Sequence, residues 1–234
     1  MNVLRLAGFL LVATIAVTHG QVPLSKEPRH RVTFENAQLR ILDVNIPPGE
    51  SSLDHRHELD IATVAMSSGA QTREQSTGQP QGPVRPSRSV GDANVADYAG
   101  KPGSHTIANV GSIPYQLFAV ENLKTKGWSA TPAVSGPATT MAAESRAFRI
   151  YDVRLSRTTS ATMHTHAVPT IAVLIAGKVL SDGPDTQAKE LAPAPVGLKQ
   201  LDRPGQWLLI PAGDRHHVVR LGTDDARVVE IEVR

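Results

Sequence analysis

Most of the nine histidines in this 234-residue chain fall into two groups of one pattern. His164 and His166 are separated by one residue, and so are His55 and His57. On a β-strand such a pair points to one face, because side chains alternate across the strand. In the later group a third histidine, His216, follows the apolar run Trp207–Ile210 and the turn Pro211-Ala212-Gly213. In the earlier group the third is His105. Three neutral imidazoles converging from two strands make a site for a divalent transition metal, and Fe, Mn, Ni, Cu and Zn are all acceptable to such donors. His217 follows His216 directly and should face the other way. His30 lies in a polar, Pro-containing lead-in and is read as exposed.

The segments that must position these residues read as strands. Val32 to Ile46 alternates apolar and polar residues and ends at Pro47-Pro48-Gly49, a strand running into a turn. The same order of features recurs. Glu35–Val44 aligns without gaps on Glu144–Val153, and that register carries His55 onto His164 and His57 onto His166. With a small shift His105 falls on His216, and Leu117–Glu121 on Val228–Glu232. A series held in register this far indicates a duplicated β-domain. Arg40/Arg149 and Asp43/Asp152 recur in both copies, as expected of shared strand or hydrogen-bonding roles. Ala70–Val90 and Ser181–Lys199 lack periodicity and read as surface excursions, candidates for substrate contact over a barrel mouth.

These residues resemble the two signature motifs of the cupin family, G-x5-H-x-H-x3,4-E-x6-G and G-x5-P-x-G-x2-H-x3-N. Gly205, Pro211, Gly213 and His216 match the second motif, with Arg220 at the place of its final Asn. His164, His166 and Gly177 match the first, with Thr158 at the leading Gly and Thr170 at the carboxylate. In the first copy Gly49, His55, His57 and Gly69 match, Ala62 or Ile61 stands at the carboxylate, and His105 and Asn109 fit the end of the second motif. The resemblance covers nearly the whole chain after its first residues and implies an all-β fold: two tandem cupin jelly-roll barrels behind a signal peptide. The expected division is a signal peptide over 1–20, an N-terminal cupin domain over 21–123, a linker over 124–143 and a C-terminal cupin domain over 144–234.

The resemblance implies a metal site at His164, His166 and His216, and a second, less complete one at His55, His57 and His105. Thr170 is a poor ligand, so the C-terminal site is expected to consist of three histidines with open positions for water, dioxygen or substrate, similar to the three-histidine dioxygenases of the family. Thr170, Trp207 and Tyr151 are the substrate-pocket candidates, although core packing is the better explanation of the two aromatic residues. No general base is identifiable.

Composition narrows the function further. A formal charge of +2 with no basic block leaves no footprint for nucleic acid. Abundant Gly (18) and Pro (17) suit short strands and turns. The chain has no cysteine, which excludes disulfides, thiolate ligands, a thiol nucleophile and a lipid-attachment cysteine. Met1–Arg5 is a short basic lead, Leu6–Val17 an apolar run, and Thr18-His19-Gly20 its polar end. The run is shorter than the roughly 20 residues of a membrane span and reads as a secretory signal, implying a periplasmic or secreted protein without a stable membrane span. Motifs of serine hydrolases, zinc proteases, P-loop proteins and dinucleotide-binding proteins are absent. The leading expectation is an exported metal-dependent, dioxygenase-like enzyme acting on a small organic molecule through the three-histidine site of the C-terminal barrel. A non-catalytic metal- or ligand-binding module and a purely structural barrel stay open, because the fold hosts all three. A homodimer is compatible with the resemblance, but no residue pattern specifies it.

Overall fold

The computed structural model describes residues 20–124, 129–182 and 200–234. The expected signal peptide lies outside the described residues but for Gly20, and so does most of the Ser181–Lys199 excursion. Apart from a short 3-10 turn at Leu24–Lys26, the described elements are strands.

The first ten strands are β1 (Val22–Pro23), β2 (His30–Glu35), β3 (Leu39–Ile46), β4 (His55–His57), β5 (Ile61–Ala65), β6 (Thr72–Ser76), β7 (Val84–Arg85), β8 (Ala93–Ala96), β9 (Gly103–Asn109) and β10 (Tyr115–Asn122). They form two sheets, ordered β1-β4-β9-β6-β7 and β2-β3-β10-β5-β8. The second set is β11 (Thr139–Glu144), β12 (Phe148–Leu155), β13 (His164–Thr165), β14 (Thr170–Ala176), β15 (Val179–Asp182), β16 (Gln200–Leu201), β17 (Trp207–Ile210), β18 (Arg215–Arg220) and β19 (Ala226–Val233). Its sheets run β11-β12-β19-β14-β17 and β13-β18-β15-β16. Strand for strand, the second pair repeats the first, with β1 the extra member. The chain is two tandem jelly-roll barrels.

Two segments differ from their reading in the sequence. Residues 139–143, assigned to the linker, form with Glu144 the strand β11, which pairs with β12 from Glu144↔Arg149 to Thr139↔Val153. Ala70–Val90 is not wholly irregular, since β6 within it pairs with β9 over five residues and β7 pairs back onto β6. Its polar strand hides from periodicity because little of it is buried: Thr72 alone in β6 is fully covered.

Alternation sends each central strand to two different cores. In the second barrel Tyr151, Val153, Ala172, Leu174 and Val228 pack inward. Their neighbours Ile150, Ile171, Val173, Val229 and Ile231 point the other way and meet Leu39, Ile41, Val64, Phe118 and Val120 of the first barrel. Strands buried on both faces read as continuous apolar runs, which explains Ile171–Ile175. Each fully buried large aliphatic or aromatic side chain contributes about 1.5–3 kcal/mol, so this shared layer makes the barrels one packed body. Polar contacts reinforce it. The Asn122 side-chain amide donates to the carbonyls of Ala147 (3.2 Å) and Arg234 (2.8 Å), and the Arg227 guanidinium donates to those of Val90 (2.6 Å) and Gly91 (3.2 Å).

Glycine is required where two motif turns close. Gly213 has φ +87° and donates its N–H to the carbonyl of His166 at 2.8 Å, tying the Pro211–Gly213 turn to a site residue. Gly177 has φ +76°, and a Cβ there would lie 2.4 Å from the carbonyl oxygen of Asp225.

Candidate metal centres

The same pairing builds both histidine groups. In the first barrel β4 lies antiparallel to β9 with His55 opposite His105; in the second β13 lies antiparallel to β18 with His164 opposite His216. Directly opposed residues bring their side chains together. The facing rings are 4.7 Å apart for His55–His105 and 4.5 Å for His164–His216. His57 and His166 reach the same groups from the next same-face position. His217 points away from its group, as alternation requires.

Ring orientation is set from behind. The carbonyl of Leu53 faces Nδ1 of His55 at 2.9 Å, and that of Thr162 faces Nδ1 of His164 at 2.8 Å. Nδ1 is thereby the N–H, and Nε2 is left to face its neighbours. Nε2 of His57 lies 3.2 Å from Nε2 of His105, and Nε2 of His164 lies 3.1 Å from Nε2 of His166. At metal–nitrogen bonds of about 2.0–2.1 Å, two nitrogens on one ion are separated by roughly 3–3.4 Å. Nε2 of His55 is buried without any hydrogen-bond partner. The donor sets therefore fit a divalent metal.

The second group contains a residue that its motifs do not announce. Glu230, fully buried on β19, places Oε2 3.4 Å from Nε2 of both His164 and His166, and Oε1 3.5 Å from Nε2 of His216. To the three expected histidines the structure adds a carboxylate, so the group that could hold a metal is His164, His166, His216 and Glu230. Thr170 is no ligand: its hydroxyl donates to the carbonyl of Val168 at 3.1 Å, and it lies opposite Glu232. The carboxylate comes instead from the neighbouring strand, where Glu230 pairs with Ala172. Behind the site Glu232 Oε1 lies 2.8 Å from Nδ1 of His166, an orienting carboxylate for that ring, while its Oε2 lies 3.5 Å from the Arg149 guanidinium.

The other pocket candidates separate. Tyr151 is buried in the second barrel's core, 6.0 Å from the His166 ring, and its hydroxyl accepts from the N–H of Val134 at 2.9 Å. Trp207 is not in the pocket. It pairs with Val173 and so shares that residue's outward face, packing edge-on against Phe34 of the first barrel at 5.4 Å.

Among the described residues the first group has no carboxylate of the same kind. Ile61, opposite Glu121, stands where Thr170 stands, and Ala119, opposite Thr63, stands where Glu230 stands. Glu121, the counterpart of Glu232, is held by Arg40 at 2.6 Å and leaves Nδ1 of His57 without a partner. Beside this group lies a cavity of about 370 Å³, whose walls include His57, His105, Ala119, Thr63 and Tyr98. Tyr98 stacks on His57 with centroids 4.4 Å apart. His30, expected to be exposed, is buried at the cavity wall, 4.6 Å from the His55 ring, with Nδ1 on Glu27 at 2.5 Å.

The electrostatics of the two groups are opposite. Burial, with the neighbouring His30, holds His55 down at about 4. Burial, with His105 and His55, holds His57 down at about 2. In the second group burial also opposes the charge of His166, but Glu230 and Glu232 outweigh it and raise the ring to about 9. Burial would raise the Glu230 carboxyl, yet the three imidazoles hold it well below the ordinary carboxylate range.

No motif announces Glu230, Glu232 or Glu27. One signal was present: Glu230 and Glu232 occupy the same phase as Val228 on an apolar strand, so two carboxylates share the face that alternation sends inward.

Structures of known proteins agree with this architecture. AerE from Microcystis aeruginosa superposes with a TM-score of 0.57 at 14% identity, covering 89% of this chain and 98% of that one. A cupin 2 conserved barrel domain protein from Leptotrichia buccalis gives 0.52 at 10% identity, covering 86% of each chain. A salicylate 1,2-dioxygenase from Pseudaminobacter salicylatoxidans gives 0.57 at 10% identity, covering 86% of this chain and 72% of that one. No protein-family model matches the sequence, and no curated protein does. The fold is the cupin fold in its double-barrelled form. Among the bicupin folds it resembles is that of a dioxygenase, and both of its histidine groups can hold a metal ion.

Proposed function

We propose that this bicupin is an exported metal-dependent, dioxygenase-like enzyme that acts on a small organic molecule in its first barrel, with a second metal in the other. The observation that carries this reading is the difference in ligand completeness beside the cavity. His55, His57 and His105 supply three nitrogens with no carboxylate among them, and the 370 Å³ cavity opens on two of the three. The working site is thus assigned to the first barrel, not to the C-terminal one that the better-matched motifs favoured.

A divalent ion at His55, His57 and His105 would supply a Lewis acid and, if iron or manganese, a redox change. The chain's own residues do the rest. The Leu53 carbonyl fixes the His55 ring, Tyr98 braces His57, and Glu74 faces Nδ1 of His105 at 3.4 Å. Low affinity for protons keeps His55 and His57 neutral, the form that donates a lone pair to a metal. In the second barrel the added carboxylate and deep burial suit a metal that is retained for stability.

Metal content per chain, measured for the parent, His55→Ala and His164→Ala proteins, tests the assignment together with oxygen uptake. The expected result is loss of metal from a different site in each variant and loss of turnover in His55→Ala. Turnover lost only in His164→Ala would return the working site to the second barrel. A parent protein that takes up none of Fe, Mn, Ni, Cu or Zn would end the enzyme reading. Export is proposed from residues 1–20 and is tested by N-terminal sequencing of the mature protein from fractionated cells; a chain beginning at Met1 would refute it.

A further inference from the structure

The cavity of the first barrel is lined by two arginines of different standing. Arg85 lies 2.7 Å from the Glu74 carboxylate, so those charges cancel. Arg88 has no such partner: its guanidinium donates to the Thr63 hydroxyl (3.2 Å), the Thr63 carbonyl (3.3 Å) and the Asp92 carbonyl. The Tyr115 hydroxyl is a further hydrogen-bond partner of the guanidinium, and all of these groups are neutral. Among the described residues no carboxylate forms an ion pair with Arg88. A guanidinium cannot shed its proton, and holding it half-buried without a counter-ion is costly. Neutral partners from Thr63, Asp92 and Tyr115 hold it there nevertheless.

The rest of the wall states what else the ligand must be. Ile61, Ala65, Ile107 and Leu117 are apolar, and Tyr98 and Tyr115 add ring surface. The volume lies at the small end of the roughly 300–1,000 Å³ typical of ligand pockets. With Arg85 neutralised by Glu74, the Arg88 guanidinium is matched by one negative charge on the ligand. We infer that this cavity binds a small monocarboxylic acid with an apolar body, its carboxylate held by the Arg88 guanidinium. A planar fork of N–H donors matches a carboxylate in a way that an ammonium cannot. Arg88 is then the residue that selects the substrate class, and Thr63 a positioning residue that aims it. This inference rests on the reading that the cavity serves the first barrel's metal site.

The test is calorimetric titration of the full chain, metal-loaded and chelator-treated, with phenylacetate, phenylacetamide and inorganic phosphate. Phenylacetate is expected to bind in both states and phenylacetamide and phosphate at least about ten-fold more weakly, because a charge-assisted pair is lost or mismatched. Arg88→Gln should lower phenylacetate affinity by a similar factor and leave phenylacetamide unchanged. Arg88→Lys, which preserves the charge, should retain part of the affinity. Thermal unfolding of both variants shows whether they are folded, and the Lys variant decides the matter if the Gln variant is not. Equal binding of acid and amide, or phenylacetate affinity indifferent to both substitutions, overturns the inference. Arg88-independent binding that vanishes with the metal would overturn the anchor while leaving the metal reading intact. Arg88-dependent binding in a protein that takes up no metal would do the reverse.

Discussion

The two barrels use one frame to make two different centres, and one pair of positions accounts for the added carboxylate. Glu230 and Ala119 occupy equivalent places on β19 and β10, opposite Ala172 and Thr63 respectively. In the second barrel the glutamate reaches three imidazoles and completes a four-residue set. In the first barrel the alanine leaves its place empty of any donor and becomes part of a cavity wall. The histidines are paired alike in both, so duplication preserved the strand register while one inward position on one strand decided between a closed site and an open one.

Exchanging those two positions is the strongest way to break the comparison. Glu230→Ala should weaken metal binding at the second site by more than about 100-fold, exceeding the 10–100-fold typical when only an orienting residue is lost. The converse change, Ala119→Glu, should tighten metal binding in the first barrel and abolish ligand binding in its cavity. Without metal it should destabilise the protein by several kcal/mol, about 2–4, because Ala119 is fully buried. Metal titrations and urea unfolding of the metal-free proteins measure both. A Glu230→Ala protein that holds its second metal as tightly as the parent would remove the carboxylate from the site.

A smaller effect separates Glu232 from Glu121. Glu232 orients His166, whereas Glu121 spends its carboxylate on Arg40. Glu232→Gln should cost the second site about 10–100-fold in metal affinity. Glu121→Gln should leave the first site's affinity within about three-fold and act on stability through the buried Arg40 pair. Equal losses at both sites would mean that the two glutamates do the same work.

These residues also show how far the sequence carries. His-x-His pairs and a Pro-x-Gly turn are local, so spacing and alternation disclose the histidines, the turn and the duplication. Glu230 lies on a strand that meets the histidines only through the barrel's closure, and no local motif encodes that meeting. The face taken by Trp207 was illegible for another reason. Four apolar residues in a row, Trp207–Ile210, conceal the phase of β17, and only the register Val173↔Trp207 shows which face the indole takes. His30 was assigned to solvent from its polar neighbours, but β2 pairs with β3 and carries it behind the first histidine group. The Glu230/Glu232 phase on β19 was legible, yet a strand edge can explain such a pair as readily as a buried site.

The smallest expected difference is in protons. In the metal-free protein His166 is raised from 6.5 to about 9, so its contribution to stability is full below pH 6.5 and is lost as pH rises through 9. Glu230, held well below 4.5, contributes above that pH and loses its contribution as pH falls further. His55 and His57 are depressed to about 4 and about 2, so the first barrel is favoured above pH 6.5 and loses stability as pH falls below it. Above pH 4.5 the two barrels therefore answer pH in opposite directions. Ligation requires neutral imidazole, so near pH 7.5 metal uptake by the second site should release about one proton that uptake by the first does not. Zinc titrations in two buffers of different ionisation enthalpy, on His57→Ala and His166→Ala proteins, isolate each site in turn. Equal proton release from both would show that Glu230 and Glu232 do not hold an imidazolium between them, and the electrostatic contrast between the barrels would fall with it.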